Sequence, residues 1–519
     1  MSLTVRGADL LAQSLHIAGI KRIFTLSGNQ IMSVFDAALD AGLELLHVRH
    51  EAAAVHMADA WGRLTGEPGI ALVTAGPGFA NCLSALYVAQ MAESPMILLS
   101  GRAPDDRTAF QDMPQSEMAS YVCKTSWTVA DAARIGRDVA RAFVVAQSGR
   151  PGPVHLCLPV DRLEKDLVKQ DDLLPAAENF FPERPPFEEH AARQILDELR
   201  TARRPLILCG PAMIRGGSMP ALEVATGIPV VGMESPRGVN DPSLGAFAEV
   251  LAEADTILLL GKKLDFMLRL RGKPAYAPAC HLLPVIDDLA KQAASALIDL
   301  ATNSRNKHSL WLQEVRAAIE FRPEDWRELS SRSSSGLHPA EVCRVVDQFL
   351  ADGLDSVFVC DGGEFGQWAQ ACISAPHRII NGLSGSIGSV IPFVLTARLA
   401  FPDSRIVATC GDGTFGFQAM EFDTAVRYKL PFITVVGNDA KWNAEHQIQL
   451  RNFGVERTHS CALRPTAYDQ VVSALGGYGE HVARVDELVA ALARAQSQHQ
   501  PACINVSLNP TAAPVIRRR

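Results

Sequence analysis

A chain of 519 residues is too long for one ordinary hydrophobic core, so two to four domains are expected, with three the working number. Its 48% hydrophobic and 20% charged residues, with a mean hydropathy of +0.08, suit a protein that buries a large core and exclude wholesale disorder. The net charge of -8, with no basic block besides Arg517-Arg518-Arg519, speaks against nucleic acid as a partner.

Residues 1–170 alternate short β-rich runs, at 22–26, 45–48, 70–74 and 96–100, with helical stretches such as 52–64. That is the pattern of a parallel α/β sheet. The Pro-rich, acidic stretch 170–189 reads as a linker. A second α/β unit, 190–321, has predicted strands at 205–209, 229–231, 256–260 and 282–286. The polar stretch 322–336 is the next boundary. Residues 338–519 alternate again, with predicted strands at 356–360, 405–410, 432–436 and 503–506. The fold class expected is therefore α/β, three domains with parallel sheets flanked by helices. Apolar runs are strand-length, and 389–401 is interrupted by Pro392 and Arg398, so no membrane span is expected. The eleven cysteines are scattered with no Cys-x-x-Cys pair, and residues 1–10 lack a signal-like apolar stretch; a cytoplasmic protein with free thiols is the expectation.

The first and third units share a strand, glycine turn and helix plan: Ala71-Leu72-Val73-Thr74-Ala75-Gly76-Pro77-Gly78 parallels Ile406-Val407-Ala408-Thr409-Cys410-Gly411-Asp412-Gly413. The second turn continues through Thr414 and Phe415 to Gly416 and so matches Gly-x-Gly-x-x-Gly, with Asp439 where a ribose-binding acid would sit. A nicotinamide-dependent dehydrogenase is thus one hypothesis. Asp412 counts against it, because a carboxylate about 4 Å from a phosphate charge costs about 1 kcal/mol in water and about 4 kcal/mol at an effective dielectric of 20. An acid there needs a cation between itself and the phosphates. Asp412 and Asp439 end consecutive strands, so they can converge at one sheet edge, where a helix expected from Phe417 presents its N-terminal amides. Two hard carboxylates completed by phosphate oxygens favour Mg²⁺.

Gly411-Asp412-Gly413, 24 intervening residues and Asn438-Asp439 resemble the signature of thiamine-diphosphate (ThDP) enzymes. The resemblance extends over nearly the whole chain, to the branch of acetolactate synthase, benzaldehyde lyase and 2-hydroxyacyl-CoA lyase/oxalyl-CoA decarboxylase. It implies that Asp412, Asp439 and the backbone carbonyl of Lys441 hold Mg²⁺, and that Gly411, Gly413 and Thr414 form the diphosphate turn. The first unit would bind the cofactor's pyrimidine and the third its diphosphate. Arg49-His50-Glu51-Ala52-Ala53-Ala54 resembles the segment carrying the family's glutamate. A bland reading also fits Glu51, since an acid opening a helix is favoured by the helix dipole. In this family the carboxylate bonds the pyrimidine N1′, and the resulting 4′-imino tautomer generates the C2 ylid. Gly76, Pro77 and Asn81 would form the pyrimidine-side turn; Gly385 and Ile387 would lie beneath the aminopyrimidine. Asn29, Gln30, Phe110, Gln111, Trp442 and Glu445 would line the substrate pocket, with Gln111 and His446 candidate catalytic groups beside Glu51.

Several residues depart from the family pattern. Asp439 stands where most relatives have Asn, and Gln30 where benzaldehyde lyase has a histidine. Gly363-Glu364-Phe365 carries an acid and an aromatic in place of the neutral polar pair that meets the diphosphate. The stretch 254–265 is closest to the acyl-CoA branch, whereas Ala440-Lys441-Trp442-Asn443 is not. A short central unit and the segment 283–288 count against FAD or ADP there. What the resemblance implies is a ThDP- and Mg²⁺-dependent lyase, decarboxylase or carboligase, a homodimer or homotetramer, acting on a small carbonyl substrate: a 2-oxo acid, a 2-hydroxy ketone or a 2-hydroxyacyl thioester. A catalytically silent ThDP-binding regulatory protein is the alternative, with the dehydrogenase third.

Overall fold

A computed structural model describes residues 4–104, 110–164, 167–169, 173–270, 272–285, 289–301, 308–331 and 336–518. Parts of the two predicted linkers (170–172 and 332–335) and residues 286–288 of the candidate nucleotide segment lie outside them. The chain forms two compact units, residues 1–184 and 185–519.

The first unit is built on a six-stranded parallel sheet. Its spatial order is Glu44–His47, Arg22–Thr25, Gly69–Val73, Met96–Arg102, Pro153–Pro159 and Thr125–Thr128. Gly69–Val73 and Pro153–Pro159 are buried along their whole length, as expected of parallel strands covered on both faces. The helix Glu51–Thr65 starts where the His50 ring accepts from the Ala52 amide (3.1 Å) and stops at Gly66, whose φ of 81° is left-handed.

The second unit contains two parallel sheets. The smaller has the order Val230–Gly232, Pro205–Cys209, Thr256–Leu260 and His281–Val285. The larger has the order His377–Ile380, Ser356–Cys360, Arg405–Gly411, Ile433–Asn438, Ala502–Ser507 and Tyr478–Val482. Numbered along the chain within each sheet, both six-stranded sheets follow the order 2-1-3-4-6-5. The two glycine turns compared in the sequence both follow strand 3, so the shared plan extends to the topology of the whole sheet. The architecture is α/β, with parallel sheets flanked by helices.

Local structure differs from expectation at the second turn. The helix expected from Phe417 begins earlier, as the single turn Asp412–Phe415, and resumes at Glu421–Arg427. A loop at 233–242 reaches the large sheet from the small one, held by Arg378 of strand His377–Ile380, which pairs with Glu234 (3.1 Å) and Asp241 (3.8 Å).

Candidate active site

In the first unit, the buried strand Gly69–Val73 ends at Thr74 and a tight turn. Gly76 has φ 57° and ψ -114°, and a Cβ there would lie 2.7 Å from the Gln111 carbonyl oxygen, so both conformation and space require glycine. At Gly78 a Cβ would come within 2.6 Å of Thr74 Cγ2 and 3.2 Å of Glu51 Oε1. Glu51 is buried as the first residue of its helix, where the macrodipole favours a negative charge, and Asn81 Nδ2 donates to its Oε2 at 2.9 Å. Of the turn 76–81, Asn81 and Gly78 thus lie at the Glu51 carboxylate, whereas Gly76 faces Gln111.

Gln30 and Gln111 also meet. Thr74 Oγ1 donates to Gln30 Oε1 (2.5 Å), and Gln30 Nε2 donates to Gln111 Oε1 (3.0 Å). Gln111 sits at φ 65°, a left-handed conformation that a non-glycine residue holds only when its surroundings enforce it. Asn29 and Phe110 are exposed on this unit, Phe110 by 76%.

Beneath the turn lies a buried polar chain that sequence reasoning missed. The Gly76 amide donates to Gln115 Oε1 (3.0 Å), Gln115 Nε2 donates to Ser100 Oγ (2.7 Å), and His155 bonds Ser100 through Nε2 (2.7 Å) and Ser126 through Nδ1 (2.8 Å). No local signal marks these residues, because their partners lie in other strands. Burial pushes His155 down to about 3 and His56 down to about 4. Unfolded histidine titrates near ~6.5, so the unfolded chain takes up protons that the folded chain refuses, and stability is lost as pH falls below that value. Replacing His155 by Gln is expected to flatten the decline between about pH 6 and 5 by up to ~1.4 kcal/mol per pH unit, measured by urea unfolding across that range.

In the second unit, a cavity of about 310 Å³ opens at the carboxyl edge of the large sheet. Four segments that follow its strands bring the predicted residues together. Gly363, Glu364 and Phe365 come from the helix Gly363–Cys372; Gly385 and Ile387 from the loop after His377–Ile380; Gly411, Asp412, Gly413 and Thr414 from the central turn; and Asp439, Lys441, Trp442 and Glu445 from the segment after Ile433–Asn438. His446 does not line this cavity. One residue past Glu445 on the helix Asn443–Phe453, it is turned about 100° round the axis. Ser235, Pro236 and Arg237, on the loop held by Arg378, also line the cavity and were not anticipated.

Asp361 precedes the Gly363-Glu364-Phe365 segment and was not anticipated. It is fully buried; its Oδ1 accepts from the Gly362 amide (2.7 Å) and its Oδ2 from the Gly388 amide (2.9 Å), pinning the Gly385 to Gly388 turn to the end of strand Ser356–Cys360. Gly413 is a close-approach position, since a Cβ would lie 2.7 Å from the Trp442 ring.

The electrostatics centre on two carboxylates. Asp412 is buried, its Oδ2 has no hydrogen-bond partner among the described residues, and burial pushes it up to about 6. Asp439 is pushed up to about 7 by burial and by the facing charge of Asp412. A buried acceptor with no donor is costly, and two facing acids compound the cost. A hard cation between them satisfies both, so the donor set fits Mg²⁺ beside a phosphate.

Residues 5–122 match the description "Thiamine pyrophosphate enzyme, N-terminal TPP binding domain" and residues 361–506 the corresponding "C-terminal TPP binding domain". The chain belongs to the thiamine pyrophosphate (thiamine diphosphate) enzymes, so the glycine turn at 411–416 is part of a TPP-binding domain and not of a nicotinamide one. Within that family its place is with acetolactate synthase and 2-hydroxyacyl-CoA lyase, and it is an enzyme of the decarboxylase, carboligase or lyase type. It is 32% identical to a "Probable acetolactate synthase" of Mycobacterium bovis, over 98% of this chain and 97% of that protein. To "2-hydroxyacyl-CoA lyase 2" it is 30% identical in Homo sapiens (97% and 90% covered) and 31% in Danio rerio (93% and 87%). No helix among the described residues is long and apolar enough to cross a membrane.

Proposed function

We propose that the chain is a Mg²⁺- and ThDP-dependent carbon–carbon lyase or carboligase of the cytoplasm, active as a homodimer or homotetramer in which Glu51 of one subunit serves the diphosphate site of another. Residues 1–170 are its pyrimidine domain, 190–321 its central domain and 338–519 its diphosphate domain. The observation that carries this reading is the buried, partnerless Asp412 Oδ2 facing Asp439 in a cavity at a glycine turn.

Bound ThDP supplies an electron sink next to the substrate carbonyl. The chain's own residues do the rest. Glu51 exchanges a proton with the pyrimidine N1′, and Asn81 holds its carboxylate in place. Asp412, Asp439 and the Lys441 carbonyl hold the cation, which neutralises the diphosphate. Gln30 and Gln111 are neutral amides that orient the substrate by donating and accepting without titrating. Proton transfer at the product carbon falls to Glu445, His446 or water.

Among the three substrate types, a 2-hydroxyacyl thioester has a specific observation in its favour. A groove of about 1480 Å³ shares Pro236, Arg237, Glu364, Gln367 and Ala444 with the cofactor cavity, and its walls carry Arg237, Arg269, Lys273, Arg451 and Arg517 against the two acids Glu249 and Glu364. In a chain of net charge -8, such a concentration of cations suits an elongated, phosphorylated carrier such as CoA. Cleavage of a 2-hydroxyacyl-CoA, with pyruvate condensation as the comparison, tests the choice. Replacing Arg269 and Lys273 together by Glu is expected to raise KM for the thioester roughly tenfold with kcat little changed. Pyruvate turnover without any thioester cleavage would overturn the thioester reading; thermal stabilisation by NAD(H) but not by ThDP with Mg²⁺ would overturn the cofactor reading.

A further inference from the structure

Gln115, the first residue of the helix Gln115–Ser120, is 1% exposed and uses its side-chain amide fully. Its Oε1 accepts from the Gly76 amide (3.0 Å). Its two N–H groups have the Gly101 carbonyl (3.0 Å) and Ser100 Oγ (2.7 Å) as acceptors, with Cys157 Sγ 3.8 Å away. Ser100 accepts there, so its single O–H is left for His155 Nε2, and the neutral ring carries its proton on Nδ1, toward Ser126 Oγ. A flipped Gln115 amide would set donor against the Gly76 N–H and acceptor against the Gly101 carbonyl. One orientation is therefore fixed.

The two glycines that Gln115 holds are the ones against which the Gln30–Gln111 pair rests. A Cβ on Gly76 would lie 2.7 Å from the Gln111 carbonyl oxygen and 3.0 Å from Gln111 Cβ; a Cβ on Gly101 would lie 2.9 Å from Gln30 Cβ and 3.1 Å from the Gln30 carbonyl oxygen. Gln111 stands at φ 65°, which its surroundings must enforce. Thr74 Oγ1 donates to Gln30 Oε1 and Gln30 Nε2 to Gln111 Oε1, so Gln111 uses its oxygen within the pair and keeps its N–H groups for other partners.

We propose that Gln115 is a positioning residue for turnover: it sets the floor, Gly76 and Gly101, from which the Gln30–Gln111 pair is aimed at the substrate. The inference rests on the placement of Gln30 and Gln111 in the substrate pocket. Misplacing an orienting group by about 1 Å costs roughly a hundredfold in rate. Loss of Gln115 releases both glycines at once, so rate is lost although Gln115 itself is buried away from the substrate.

Gln115→Met keeps the length of the side chain and removes its bonds to Gly76, Gly101 and Ser100. The full-length protein is assayed with ThDP and Mg²⁺ on a 2-hydroxyacyl-CoA and on pyruvate. The variant's kcat is expected to fall roughly ten- to a hundredfold, with KM changed less than about threefold. In a Gln111→Ala background the same substitution is expected to lower kcat less than about twofold further, because the group it aims is gone. Thermal shift with ThDP and Mg²⁺ is expected to match wild type. In the cofactor-free variant the Gly76 amide loses its buried acceptor and is expected to exchange about tenfold faster, read by mass spectrometry on the peptide 75–81.

Gln115→Glu carries the test where the Met variant fails to fold. Protonated, it keeps an acceptor for Gly76 and a donor for Gly101; ionised, it sets a carboxylate against the Gly101 carbonyl. Its kcat is therefore expected to fall as pH rises, along a limb absent from wild type. Additive losses from Gln115→Met and Gln111→Ala, a wild-type kcat in Gln115→Met or a wild-type pH profile in Gln115→Glu overturns the positioning role. Turnover of neither substrate by wild type, or a Gln111→Ala variant as active as wild type, overturns instead the pocket placement on which the inference rests.

Discussion

Glu51→Gln is expected to lower turnover by about two to four orders of magnitude while leaving ThDP and Mg²⁺ binding nearly intact. Glutamine matches the shape of the carboxylate and still accepts from Asn81, whose Nδ2 donates to Oε2 at 2.9 Å, so the helix start at 51 and the turn at 76–81 keep their packing. What is lost is the charge and the exchangeable proton at the pyrimidine N1′. An acid placed at 51 only for the helix dipole is worth typically 0.3–1 kcal/mol of stability, about a fivefold effect at most, and none of it bears on chemistry. The two readings of Glu51 therefore separate by magnitude and by observable. Thermal shift with ThDP and Mg²⁺ is expected to match wild type, whereas hydrogen–deuterium exchange at the thiazolium C2, followed by NMR on the bound cofactor, is expected to slow in step with turnover. Full turnover by Glu51→Gln would sink the assignment. Asn81→Ala is expected to have a smaller effect of the same kind, because it frees the carboxylate to rotate without removing it.

The same residues show what a sequence discloses. The α/β alternation was legible because inner parallel strands are continuous apolar runs; Ser356–Cys360 and Gly69–Val73 are buried at every position. The outer strands Thr125–Thr128, His377–Ile380 and Tyr478–Val482 escaped notice, since each is only half-buried and mixes polar with apolar residues. Pro153–Pro159 was also missed as a strand, although fully buried, because prolines bound it and His155 interrupts its apolar run. In the second unit the glycine turn, Asp439 and Glu364 share one cavity for a reason the sequence can express: each follows the carboxyl end of a strand in one parallel sheet. Gln115, His155 and the loop carrying Arg237 were illegible for the opposite reason. Their roles come from partners on other strands, such as Arg378 holding Glu234, and nothing in the local pattern names those partners.

Asp412→Asn is expected to raise the stability of the cofactor-free protein and to abolish its stabilisation by ThDP and Mg²⁺. Because burial moves Asp412 from an ordinary 3.8 up to about 6, the folded chain keeps this proton longer than the unfolded chain does. The sign follows: ionising the site costs stability as pH rises from about 4 to about 6, and the cost then stays, at most ~3 kcal/mol from a shift worth about 1.4 kcal/mol per unit. Asn removes that cost and also the charge that lifts Asp439, so the cofactor-free variant should unfold at higher temperature than wild type at pH 8 and at about the same temperature at pH 4. Adding ThDP and Mg²⁺ closes most of that gap. Wild type gains about 2.7 kcal/mol at ligand concentrations a hundredfold above Kd, whereas the variant, lacking a charged ligand, binds at least about a hundredfold more weakly and gains little. EDTA is expected to return wild type to its cofactor-free melting temperature and to leave the variant unchanged. A buried aspartate that merely capped its turn would show neither the closing gap nor the EDTA response: its replacement would destabilise the protein with and without ligand alike.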